Sequence, residues 1–271
     1  RSTPLYSSAA SDVYKRQQQA SAENVRARAV TELLREALPT TDLSRPGVAT
    51  LGGSGLGRLF FRLETGGFAD QPDVDQMLRR LWGSVYTELG SGRAPWLVEY
   101  AEVSLRNGLV GLRLQHGAEH PDIAAALHEL AGVLLVRKRP PEAECAASQA
   151  LSMREKLLGE SNISTAASRA LHARTLLGLG RADDASREAD EALTVFRTYP
   201  DRDSDLLIAS MVALKARVML DARQPQAAEP LLREALTRRL RRLLPEDPDL
   251  IGTLHDAAAL AEQVPDGELT R

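Results

Sequence analysis

Few side chains in this sequence offer chemistry, and each can be tested against the spacing its reaction requires. His116 and His120 stand four residues apart, the interval that places two metal ligands on one helical face. Gly117 and Pro121 interrupt that face, so the spacing predicts a solvated turn between two helices and no metal site. Gly52-Gly53-Ser54-Gly55-Leu56-Gly57-Arg58-Leu59 has the glycine interval of a phosphate loop. Arg58 and Leu59 stand where a lysine and a hydroxyl would reach phosphate and magnesium, so the segment reads as a linker. Cys145 is the single thiol; it cannot form an intramolecular disulfide or build a cysteine-based metal site. With no basic neighbour on its helix to activate it, it is expected to pack as a small residue. Arg238, Arg239, Arg241 and Arg242 form a basic run, expected to be a solvated helix flank. No catalytic, cofactor-binding or metal-binding residue is assigned.

The elements that position these groups follow from composition and periodicity. Hydrophobic residues make up 43% of the 271, and 34 basic against 37 acidic side chains leave a charge of −3. That is a globular composition, and it argues against a dedicated nucleic-acid binder. No apolar run approaches the roughly 18 residues of a membrane span. Ala101, Ala143, Ala185 and Ala228 recur at intervals of 42, 42 and 43 residues. Ala131, Ala173, Ala216 and Ala258 form a second series, and Ala150, Ala192 and Ala235 a third. Between these marks the apolar residues follow helical spacing, as in Leu127, Leu130 and Leu134, so each period holds two helices. Turns are expected at Arg139-Pro140-Pro141, Gly178-Leu179-Gly180 and Gln224-Pro225, and over 91–97. Helix starts are marked by Gln71-Pro72-Asp73, His120-Pro121-Asp122 and Asp247-Pro248-Asp249. Each puts proline where its missing N–H costs nothing and an acid where the helix dipole favours it.

These residues resemble tetratricopeptide repeats of the kinesin light chain type. The resemblance rests on His120, Pro121, Asp122, Leu127, Leu130, Ala131, Glu142, Ala143, Glu144, Ala150, Leu151, Arg154, Glu155, Lys156, Leu158 and Gly159. Gly180, Arg181 and Ala185 match in the next repeat, and Ala228, Glu229, Pro230, Leu231 and Ala235 in the one after. It implies an all-α fold: an α-α superhelix of about four helix pairs plus a final unpaired helix, over residues 71–263. Helix pairs that cannot bury their own apolar faces stack into one continuous core. The final helix, Asp249 to Gln263, is expected to leave an apolar stripe with Leu250 and Leu254 partly uncovered, and residues 264–271 to form a truncated tail. The family's concave surface implies a protein-protein interaction scaffold that binds a peptide or protein partner and uses no cofactor. The backbone-clamping Asn-Asn pair of the family is replaced by His128-Glu129, Ala170-Leu171, Ala213-Leu214 and His255-Asp256. One residue after each first-helix alanine stand Gly132, Arg174, Arg217 and Ala259. The resemblance therefore implies a groove bearing His128, Gly132, Leu135, Arg174, Leu177, Arg217, Leu220 and His255. Its two guanidinium groups suit an acidic partner, unless acids such as Asp221 or Glu129 neutralise them.

The N-terminal region carries two further resemblances. Ser7 to Gln17 resembles the in-frame translation of a transposase adapter from sequencing libraries, so residues 1–17 are set apart as disordered. Residues 18–70 read as an N-terminal helix and glycine-rich linker. Within them, Val30 to Leu34, Leu43 to Gly47 and then Phe68-Ala69-Asp70-Gln71-Pro72 with Val74 resemble the segment joining a membrane anchor to repeats in some bacterial serine/threonine protein kinases. That implies an alternative function, the non-catalytic C-terminal sensor or recruitment region of such a signal-transduction kinase. The fragment itself has no HRD or DFG triplet, and no lysine between Lys15 and Lys138, so no enzyme activity is assigned to it. The implied location is cytoplasmic by default, and extracytoplasmic if the repeats follow a kinase's membrane anchor.

Overall fold

The structure is a computed structural model and describes residues 62, 63, 74, 75, 77–79, 95–199, 202–243, 245 and 247–263. It divides into two units, Arg1–Trp82 and Gly83–Arg271. The described residues of the first are helical, with Leu63, Val74 and Leu78 buried. There Arg79 donates from Nε to Asp75 Oδ2 at 2.8 Å and from Nη2 to the Leu63 carbonyl at 2.9 Å. Helix at Val74 agrees with the start expected at Gln71-Pro72-Asp73. The expectations for residues 1–17, for the glycine-rich segment and its kinase-like neighbour, and for 264–271 lie outside the described residues.

The described part of the second unit is all helix and turn. Its helices are α1 (Pro95–His116), α2 (Pro121–Val136), α3 (Pro140–Leu158), α4 (Ile163–Gly178), α5 (Ala182–Phe196), α6 (Arg202–Asp221), α7 (Pro225–Leu240) and α8 (Pro248–Gln263). Local chemistry sets these limits. Proline opens α2, α3, α7 and α8, and side chains cap three helices: His120 Nδ1 accepts the Asp122 N–H at 3.2 Å, Asn162 Oδ1 that of Ser164 at 2.8 Å, and Asp247 Oδ1 that of Asp249 at 2.9 Å. Proline also opens α1 at Pro95, so 95–97 begin a helix and are not part of the turn expected there.

The turn inside each pair is the same device three times. Lys138, Gly180 and Arg223 hold φ of 56°, 76° and 56°. Their amides, and those one residue on, reach back to the carbonyls of Leu135 and Leu134, Leu177 and Leu176, and Leu220 and Met219. This left-handed helix stop suits glycine, which occupies one of the three positions. At the first turn the flanking Arg137 and Arg139 both pair with Glu102, a buried acid of α1 that Arg106 also contacts.

Helices pack in sequence, α2 on α3, α4 on α5 and α6 on α7, and each pair packs on the next. The first helices α2, α4, α6 and α8 also touch one another in succession, which α3, α5 and α7 do not do comparably. Closer spacing on one side makes that side the inner face of the stack. Ala101, Ala143, Ala185, Ala228, Ala131, Ala173, Ala216, Ala150, Ala192 and Ala235 are all fully buried, so the repeating alanines mark the places where helices touch. Ala258 departs from its series and is exposed, because no described helix follows α8 to cover that face. On the same helix Leu250 is buried but Leu254 is 45% exposed.

Candidate functional site

The inner helices carry the candidate site. α4, α6 and α8 frame an open pocket of about 530 Å³. Arg174, Leu177 and Gly178 line it from α4, Ser210, Ala213, Arg217 and Asp221 from α6, and Asp249, Thr253 and Asp256 from α8. Arg239 reaches it from α7. Arg174 and Arg217, one repeat apart, therefore line one pocket because each directly follows a buried alanine of its inner helix.

The three guanidinium groups differ in their partners. Arg217 pairs with Asp256 across the groove, and its Nε lies 3.7 Å from Asp221 Oδ1. Arg239 is 6% exposed and donates to the Asp249 carbonyl, Thr253 Oγ1 and Ser210 Oγ. Burial pushes its pKa down, while Asp249 and Asp247 oppose that shift. Arg174 is exposed, and among the described residues it makes no ion pair or hydrogen bond. The pocket therefore offers one uncompensated positive charge beside a second that is shared with acids.

Other expected groove residues are placed differently. His128, Gly132 and Leu135 lie on α2, outside this pocket's lining. His128 Nδ1 is 3.3 Å from Ser168 Oγ, and burial, then the charges of Arg154 and Arg174, lower its pKa to about 3. It is a neutral imidazole near pH 7, able to exchange hydrogen bonds but not to carry charge. Gly178 is small because a Cβ there would meet Pro140 Cβ at 3.3 Å and Leu135 Cδ2 at 3.9 Å. Leu220 is no groove wall: it is 9% exposed and packs in a core cluster with Leu232 and Leu260. His255 is exposed on α8 and outside the pocket lining.

Sequence reasoning missed Arg239. The basic run is a solvated flank only in part: Arg241 and Arg242 are exposed, but Arg238 and Arg242 pair with Asp205 of α6 and Arg239 is buried. A usable signal existed: Ala235 and Arg239 repeat the spacing of Ala150 and Arg154. Arg154 donates to the Ser164 carbonyl at 2.7 Å and to Ser168 Oγ at 2.8 Å, contacts that Arg239 repeats two junctions later. Cys145 is exposed and accepts from Gln149 Nε2 at 3.2 Å, so it is not a packing residue. Away from the pocket, His172 lies between Glu144 and Glu188, each 3.6 Å from a ring nitrogen. Together with Arg169, which joins Glu155, Glu188 and Glu191, this ties α3, α4 and α5 into one charged network.

Comparison with known proteins agrees with this architecture. The sequence model of the tetratricopeptide-repeat family matches residues 122–198, the span of α2 to α5. That matched stretch, 77 of the 271 residues, is similar to tetratricopeptide repeats. The chain's repeats are similar in fold to those of a Podosopora anserina kinesin light chain-type protein with nearly identical TPR-like repeats. That likeness has a TM-score of 0.54 and 21% identity, over 72% of this chain and 89% of the other. A second similar structure is BtubC (BKLC) from P. vanneervenii, with a TM-score of 0.52 and 20% identity, over 78% of this chain and 80% of the other. No curated protein matches the chain. Tetratricopeptide repeats generally mediate protein-protein interaction and are typically non-catalytic. No described helix is long and apolar enough to cross a membrane.

Proposed function

We propose that the chain is a protein-protein interaction scaffold whose inner face binds an acidic peptide or a chain-terminal carboxylate between α4, α6 and α8. The observation that carries the reading is Arg174, an exposed guanidinium with no acid on it among the described residues, beside Arg217 in one pocket. A bound carboxylate pairs with Arg174 outright and takes a share of Arg217 from Asp256 and Asp221. Leu177 and Ala213 supply apolar lining for the neighbouring ligand side chain. The process requires no cofactor and no bond breaking.

The test is a peptide array, with isothermal titration of its best binders, on the wild type and the Arg174→Glu/Arg217→Glu double variant. Acidic and free-carboxylate peptides are expected to lose at least tenfold in affinity on the variant, and to bind the wild type more weakly as salt rises. Equal binding by both proteins removes the arginines from the site. A second reading, the non-catalytic recruitment region of a bacterial serine/threonine kinase, is supported by the Phe68 to Val74 resemblance. Reading the parent gene upstream of this segment tests it, and a gene without a kinase domain eliminates it.

A further inference from the structure

Arg174, Arg217 and Arg239 share the pocket between α4, α6 and α8 with three aspartates, Asp221, Asp249 and Asp256, so the formal charge of its lining is zero. The aspartates are not equally committed. The side chain of Asp256 is 14% exposed and pairs with Arg217, whereas that of Asp221 is 60% exposed and lies 3.7 Å from Arg217 Nε, beyond hydrogen-bond reach. That contact is the one ion pair of Asp221 among the described residues, and Arg223, just past it in the turn, forms none. A carboxylate ligand that takes its share of Arg217 therefore leaves Asp221 without a cation.

The place of Asp221 in the fold gives this charge a direction. Gly178 and Asp221 are the last residues of α4 and α6, and both line the pocket. Arg174 and Arg217 stand four residues before them, about 6 Å back along each axis at 1.5 Å per residue. The groove thus holds a layer of guanidinium groups and, one turn on, a layer made of two helix C-termini and a carboxylate. Helix C-termini carry partial negative charge and favour cations. An extended peptide advances about 3.3 Å per residue and turns side chains i and i+2 to one face, about 6.6 Å apart. Resting on the reading of the pocket as a carboxylate site, we infer that its ligand is a peptide whose carboxylate is accompanied by a lysine or arginine two residues away, with Asp221 and the end of α4 as the seat of that cation. Asp221 is thereby a specificity residue. A peptide that carries only acids is drawn to Arg174 but repelled by Asp221 and Asp249, while one that carries both signs answers both layers.

The experiment titrates the full chain at low salt, by fluorescence polarisation, with peptides that carry a dye at the N-terminus. One series has a C-terminal amide and the core Leu-Asp-Ala-X-Ala, with lysine, glutamine or glutamate at X; in the other the chain end is the one carboxylate and X stands two residues before it. The series that binds more tightly names the source of the carboxylate. Within it lysine is expected to bind about threefold tighter than glutamine, and glutamate about threefold weaker, the size of a partly exposed ion pair. Asp221→Asn should bring the lysine-to-glutamine ratio to about one, and Asp221→Lys should reverse the order in favour of glutamate. Lysine moved next to the acid, and so to the opposite face of the peptide, should lose its advantage. Equal affinities across the wild-type series, or a lysine preference that survives Asp221→Asn, overturn the cation seat; the carboxylate reading then stands if Arg174→Glu/Arg217→Glu loses the whole series. A series that binds that double variant as tightly as the wild type overturns both.

Discussion

The junction between α3 and α4 and the junction between α5 and α6 occupy the same place in successive repeats but are held by opposite chemistry. In the first, Arg154 satisfies a carbonyl and a hydroxyl in the opening turns of the next inner helix. In the second, the equivalent residue is Phe196, fully buried in a core cluster with Ile208 and Met211. The hydroxyl acceptor changes with its donor: Ser168 and Thr253 stand five residues before Ala173 and Ala258, and the equivalent place before Ala216 is Met211. Arg239, at the third junction, serves Thr253 and also reaches back to Ser210 at 3.1 Å. A polar joint requires every partner to be present, whereas an aromatic joint requires apolar cover alone. The stack can therefore alternate the two without changing its spacing. The alternation also leaves Arg239 in the wall of the pocket that Arg174 and Arg217 share.

Phe196→Ala tests the aromatic joint and should cost most, about 3–5 kcal/mol in urea unfolding, since it empties a fully buried site. Arg154→Ala and Arg239→Ala should each cost about 1–3 kcal/mol, by leaving inner-helix acceptors without a donor. If both arginine variants unfold with the wild type, the polar joints are decoration and the contrast between junctions collapses. Ala173→Leu should overpack the inner face by about 1–3 kcal/mol, while Ala258→Leu, exposed on α8, should stay within about 0.5 kcal/mol in the same melts.

His128 sharpens the comparison by pH, because Arg154 of the polar joint is one of the charges that depress it. The folded chain refuses a proton down to about pH 3, whereas the unfolded chain takes one near 6.5. This contribution to stability is thus complete above about 6.5 and falls by up to about 1.4 kcal/mol per pH unit toward 3. His128→Gln should flatten that slope in a series of melts, and an unchanged slope would mean that the imidazole is not held neutral. A further modest effect belongs to the turns. Lys138→Gly and Arg223→Gly should each raise stability by roughly 1 kcal/mol by relieving a left-handed backbone, and Gly180→Ala should lower it by a similar amount.

Helix limits and the pairing of helices were legible in the sequence because their causes are local. Pro121, Pro140, Pro225 and Pro248 each sit in a first helical turn, where the missing N–H costs nothing, and the alanine intervals record the places where helix axes approach. The positions of Arg174 and Arg217 were legible for the same reason, since the register of an inner helix follows from its buried alanine. What those arginines face was not legible. Asp256 lies 39 residues from Arg217, and Asp205 lies 33 from Arg238, separations across which a spacing rule carries no information. The same holds for Ala258, whose series predicts burial that only a covering helix can supply, and for Cys145, whose helix is plain from sequence while its exposed face is not. At His116 and His120 the sequence correctly showed a turn in place of a shared helical face. The stacking of the two rings depends on where the turn aims α1 and α2, and that is decided by the packing of the whole pair. Local stereochemistry determined where each helix begins, ends and touches the next; the partners of the charged and titratable side chains were decided by tertiary packing, because Coulomb and hydrogen-bond energies depend on distance in space and not on distance along the chain.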